Sequence, residues 1–282
     1  MATASEIAAL VAQMPDTDRE IENREKNPDP TPSPGTPAPE SKFTGPAPAQ
    51  AEATFTAILA GGRAGILHLL DLVRAPSDPG YTNDKAGYVL HGLCLHTGKP
   101  GMERERRALA GLLAERLDHD GASQAVKASF IRELQRIGAA ENAPALGRRL
   151  LDPELGGDAA QALLAIREGA VDQFRSALRS ADGASTVHLI QALGALQDSE
   201  SAPALRPLLE DQNQETQLIV AWALANIGDP EAIEPLLALT ERAEGWGKTR
   251  LTAACRLLAQ RLSAAGRADD AARVTQALED AP

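Results

Sequence analysis

From Ala49 almost to the C-terminus, apolar residues return at intervals of three and four, and Gly, Pro, Asp and Asn interrupt them every ten to fifteen positions. That period lays an apolar stripe along a helix, and the interrupting residues are those that cap or break one. The pattern predicts helices at about 49–60, 63–74, 83–97, 101–118, 122–137, 142–151 and 158–168. It continues with 170–180, 184–196, 201–210, 214–227, 231–242, 247–264 and 267–280. Short turns between such helices make antiparallel pairs, so the fold class expected is all-α.

The pairs rhyme in sequence. Ala143-Pro144-Ala145-Leu146, followed by Leu150, Leu151 and Asp152, returns as Ala202-Pro203-Ala204-Leu205, followed by Leu208, Leu209 and Asp211. Ala232-Ile233 with Leu236 and Leu237 repeats the motif, and Ala170-Val171 with Phe174 and Leu178 fills the same slot less regularly. The preceding helices match as well, through Leu134, Ile137 and Gly138, then Leu193, Gly194 and Leu196, then Leu224, Ile227 and Gly228. The shift of 59 from Ala145 to Ala204 spans two repeats of about 30 residues each. A hairpin of that size cannot bury its apolar flanks alone, whereas stacked hairpins cover one another.

The stretch Ala221-Trp222-Ala223-Leu224-Ala225-Asn226-Ile227-Gly228-Asp229-Pro230-Glu231-Ala232-Ile233-Glu234-Pro235-Leu236-Leu237 resembles HEAT repeats, in particular the short phycobilisome-lyase-like kind. An Ala-rich helix runs into a hydrophobe and Gly, then Asp-Pro, then a Leu-rich second helix. The resemblance is good over 120–242 and looser over 49–119; Ala265-Gly266-Arg267-Ala268 looks like a TPR-style turn closing a capping hairpin over 243–282. It implies a right-handed α-solenoid whose second helices line a concave, partner-binding face. It also implies two rival functions, a non-catalytic scaffold or adaptor for a protein or peptide, and an accessory protein resembling HEAT-like chromophore or cofactor lyases. Fold alone does not choose between them. HEAT-like di-iron hydroxylases carry His-Glu dipeptides, but His68, His91, His96, His119 and His188 are followed by Leu, Gly, Thr, Asp and Leu.

Ahead of the repeats, residues 1–26 hold a short amphipathic helix with Ile7, Leu10 and Val11 on one side. Residues 27–48 carry eight prolines and read as a Pro-rich tether, because proline lacks the amide donor and extends its predecessor. Composition narrows the function classes. The protein is 43% hydrophobic but 3% aromatic, with Ala and Leu dominant, which favours helix. Its formal charge of −11 argues against a nucleic-acid partner. No apolar run reaches the length of a membrane span. Met1–Val11 lacks the basic start of an export signal, so a cytoplasmic protein is expected, with a signal already removed as the alternative.

No phosphate loop, CxxC pair, GxSxG or HExxH motif occurs, and no cofactor is expected. His91 and Cys94, three apart on a predicted helix, could share a metal or form part of a nucleophilic site, but no further ligand or base stands out. Core packing of Cys94 is the competing reading. Trp246, between Gly245 and Gly247, is a candidate partner contact, and Trp222 a core residue. On the second helices Arg148, Arg149, Arg175, Arg179 and Arg206 would stack into a row of guanidinium groups. Such a row grips carboxylates, so it points to an acidic peptide or protein segment. The alternative is a solvated helix face whose arginines pair with nearby acids.

Overall fold

In the computed structural model, residues 3–15, 45–181 and 184–280 are described, and their regular structure is entirely helical. The chain divides into two compact units, Met1–Ala145 and Leu146–Pro282. The break falls inside the stretch whose repeats were most regular in sequence.

The first unit holds α1 (Ala4–Ala12), α2 (Pro48–Ala60), α3 (Gly62–Leu72), α4 (Lys85–Thr97), α5 (Glu103–Leu117) and α6 (Gln124–Ile137). Thr3 and Glu6 close a capping box at the start of α1, each satisfying the other's backbone amide. α1 packs against α2, α3 and α4 and buries Ile7 and Val11, and Met14 just after it is buried too. Gln50 Nε2 donates to the Gln13 carbonyl at 3.1 Å and Lys85 Nζ to the Ala12 carbonyl at 3.2 Å, which fastens the end of α1 to the unit. Of the Pro-rich tether read over 27–48, residues 27–44 lie outside the described ones; its last proline, Pro48, opens α2 where no amide donor is required. The axes of α2 and α3 turn by 119° at Gly61. Among the described residues no single helix is long and apolar enough to cross a membrane.

A short helix, α7 (Ala143–Gly147), runs across the division between the units. The second unit continues with α8 (Gly156–Ile166), α9 (Ala170–Leu178), α10 (Ala184–Ala195), α11 (Ala202–Leu205), α12 (Gln214–Ile227), α13 (Ile233–Arg242), α14 (Gly245–Ala264) and α15 (Ala268–Glu279). The first helices α8, α10, α12 and α14 lie side by side, the second helices α9, α11 and α13 pack on the first helices that follow them, and α15 folds back on α14. Small residues permit that closeness. A Cβ on Gly194 would stand 2.7 Å from Ala223 Cα, so α10 and α12 meet almost backbone to backbone. Leu189, Ile190, Leu193, Val220, Leu224, Leu236, Leu258 and Leu262 are sealed in the resulting core. Each such side chain contributes about 1.5–3 kcal/mol by leaving water.

Asn226 bridges three first helices. Its Nδ2 donates to Gly194 O at 2.8 Å, its Oδ1 accepts from Arg261 Nη2 at 2.7 Å, and its carbonyl accepts from Gln197 Nε2 at 3.1 Å.

The second helices are shorter than the apolar period predicts. The expected helix at 201–210 is α11 followed by a 3-10 turn over Arg206–Glu210, because Pro207 has no amide to continue the α ladder. The expected helix at 142–151 stops at Gly147. A Cβ at Gly147 would lie 2.1 Å from the Gln173 side chain, so Gly147 leaves room for α9 to pack there.

Candidate functional site

The row of arginines proves to be two rungs of an internal ladder. The first helices α10 and α12 end in a left-handed residue, Gln197 at φ 56° and Gly228 at φ 78°. The next residue, Asp198 or Asp229, donates its amide to a carbonyl one turn back, Leu193 or Leu224, at 3.1 Å. That closure sets the aspartate at the mouth of the following short helix, where its carboxylate accepts from local groups. Ser201 Oγ donates to Asp198, and the Glu231 amide donates to Asp229 at 3.3 Å.

The arginine of the preceding repeat reaches the same carboxylate. Arg175 Nε donates to Asp198 Oδ2 at 2.7 Å, its Nη2 to Oδ1, and its Nη1 to Glu200. Arg206 repeats the grip on Asp229, with Nε at 2.7 Å and Nη2 at 3.2 Å, and its Nη1 meets Glu231. The three members advance together by one repeat, from 175, 198 and 200 to 206, 229 and 231. Bidentate pairing of this geometry is the strong form of the guanidinium–carboxylate bond.

Of the two readings of the arginine row, arginines paired with nearby acids is the one seen at Arg175 and Arg206, whose forks are occupied by the protein's own carboxylates. Burial alone would raise the Asp198 pKa, but hydrogen bonds from Arg175 and Ser201, with the Arg175 charge, outweigh it and hold the carboxyl below its ordinary range. The same contacts push Arg175 and Arg206 upward, chiefly through the hydrogen bonds to Asp198 and Asp229. Arg148 and Arg149 are out of register with the ladder, for the 59-residue shift sets Gly147 beneath Arg206. They lie on the turn after α7, outside any second helix, and both have interactions of their own. Arg179 is exposed at the end of α9.

A folded carboxyl with a lowered pKa adds stability above its ordinary value of 3.8 and loses it as pH falls through the lowered one. Urea midpoints of the wild type should therefore fall between pH 6 and roughly pH 3, and those of Asp198→Asn should fall less. Equal falls in both proteins would show that this carboxyl is not held down by the ladder.

Beside the first rung lies a cavity of about 870 Å³. Leu178, Val187, Ala204 and Leu208 give it an apolar floor, and Arg179, Glu200, Asp211 and Glu215 bring charge to its rim. It is framed by the second helices α9 and α11 and by the starts of α10 and α12. A family model for HEAT repeats matches residues 171–259, from α9 into α14. That stretch is an array of HEAT repeats. The cavity therefore lies within the HEAT array, on the side of its second helices. No curated protein matches the chain. A chain in the structure of the complex of CpcE and CpcF of phycocyanin lyase from Nostoc sp. PCC7120 is 18% identical, covering 90% of this chain and 100% of that one, with a TM-score of 0.38. A superposition that loose bears on no detail of the site.

The other candidates do not line the cavity. Trp246 is the second residue of α14, two-thirds exposed at 66%, with the Arg250 guanidinium 4.9 Å from its ring centre. Trp222 is only partly buried at the margin of the HEAT core. In the first unit, Cys94 is fully buried, and burial, reinforced by the Glu133 charge, pushes its thiol well above the ordinary value. A thiol held protonated is a poor nucleophile and metal ligand. His91 Nδ1 lies 3.1 Å from Glu133 Oε1, a partner 42 residues away that the helix spacing gave no hint of. Among the described residues no cluster of three or more His, Cys, Asp and Glu side chains could hold a metal ion.

Proposed function

We propose that the HEAT array is a non-catalytic binding module that takes a segment of a protein partner in the groove between its second helices. The observation that carries this reading is the roughly 870 Å³ cavity with an apolar floor and a polar rim, built on stacked helices. A groove framed by packed helices loses little ordering entropy when it is filled, which favours recognition of an extended or helical segment. The scaffold reading needs no reacting group; the lyase-like alternative needs Cys94 or His91, one sealed in the core and the other turned to Glu133.

Ala204 is exposed on the groove wall, so a larger side chain there fills the cavity without entering the core. Ala204→Trp is expected to lower partner affinity at least about tenfold, the loss of one well-placed contact cluster, while leaving the thermal midpoint within a few degrees. Unchanged capture of the partner from the native host by this variant, measured beside the wild type, would remove the groove from the function.

A further inference from the structure

The ladder has a consequence for what the groove can hold. Each rung sets one guanidinium against two carboxylates, Arg175 against Asp198 and Glu200, and Arg206 against Asp229 and Glu231. Asp198 and Asp229 are buried, whereas Glu200 and Glu231 are 76% and 70% exposed and carry the excess charge outward. The groove adds Asp211 and Glu215 against the single further cation Arg179. Of the two rungs the first lines the cavity, and there Glu200, Asp211 and Glu215 outnumber Arg175, already gripped by Asp198, and Arg179.

We infer that the groove selects a partner segment bearing Lys or Arg side chains, which meet the carboxylates of Glu200, Asp211 and Glu215 on its rim. The inference rests on the groove reading above and adds the sign of the ligand's charge. An extended chain advances about 3.3 Å per residue, so cations at every third position reach separate rim carboxylates while apolar residues between them face Leu178, Val187 and Leu208. Glu200 and Glu215 are exposed, so each contact is worth little alone and is sensitive to salt; several together give the selectivity.

The test uses the full chain and three fluorescein-labelled peptides of one length, with Leu and Ala throughout and Lys, Gln or Glu at every third position. Anisotropy titrations should show the Lys peptide binding best, more weakly at high salt, and losing about tenfold in affinity to Glu200→Gln/Glu215→Gln. Ala204→Trp should block it. Equal or better binding by the Gln or Glu peptide, blocked by Ala204→Trp, would overturn the charge selection and leave the groove reading standing. Lys-peptide binding indifferent to the double glutamine variant would overturn it too. If no peptide shows binding that Ala204→Trp abolishes, both readings fall.

Discussion

Gly65→Ala is expected to destabilise the first unit by about 3 kcal/mol, the upper end of what overpacking one methyl costs. Gly65 lies in the first turn of α3, where that helix doubles back across the end of α2. A Cβ built there stands 2.2 Å from the Ile58 carbonyl oxygen, and the same modest side chain at Gly61 would stand 2.9 Å from Gly65 Cα. The obstruction is backbone on both sides, so no rotamer change relieves it. The helices must part, which loosens Ile58, Ile66 and Leu69, all buried, and unseats α1 from its place against α2 and α3. Urea unfolding followed by circular dichroism would report the loss. A control at Gly87, whose Cβ would meet nothing within 4 Å, should stabilise α4 slightly, since Ala is the better helix former. If Gly65→Ala unfolded at the wild-type midpoint, the 119° corner would not be set by glycine.

The helices were legible in the sequence because a helix is a local object, and its period appears in any window longer than two turns. The hairpin repeat was legible for the same reason one level up: Ala202-Pro203-Ala204-Leu205 restates Ala143-Pro144-Ala145-Leu146. Breaks within helices were less visible, since Pro207 stops the α ladder in a run whose apolar spacing goes on unbroken. The docking of α1 was hidden by distance. Ile7 and Val11 show one apolar side, but the surface they cover begins at α2, beyond residues 16–44. The partners of the arginine row were hidden in the same way. Arg175 and Arg206 stand out on second helices, while the acids that saturate them lie 23 and 25 residues further on, in the next repeat's turn. The signal was present as a common shift of 31 from Arg175, Asp198 and Glu200 to Arg206, Asp229 and Glu231, and only the fold says that the three members touch.

That contact makes the second large effect a matter of stability and not of ligand capture. Arg175→Ala leaves Asp198 ionised, almost buried at 8% exposure, and without its bidentate partner. Removing one side of such a pair typically costs about 3–5 kcal/mol; because Arg175 itself is partly exposed, about 3 kcal/mol is expected here. Asp198→Ala also loses the Ser201 hydrogen bond, yet removes the buried charge, and should cost about 2 kcal/mol. The double variant should then be less unstable than the sum by about 1–3 kcal/mol, because each single change already destroys the shared bond. Arg175→Lys should recover little, since an ammonium cannot present the Nε–Nη2 edge to both carboxylate oxygens. Were the arginine row instead a surface waiting for an acidic ligand, Arg175→Ala would leave the urea midpoint in place and the cycle would close with no coupling. An intact midpoint in the single variant is thus the result that restores the free guanidinium row and, with it, reverses the sign of the charge the groove presents.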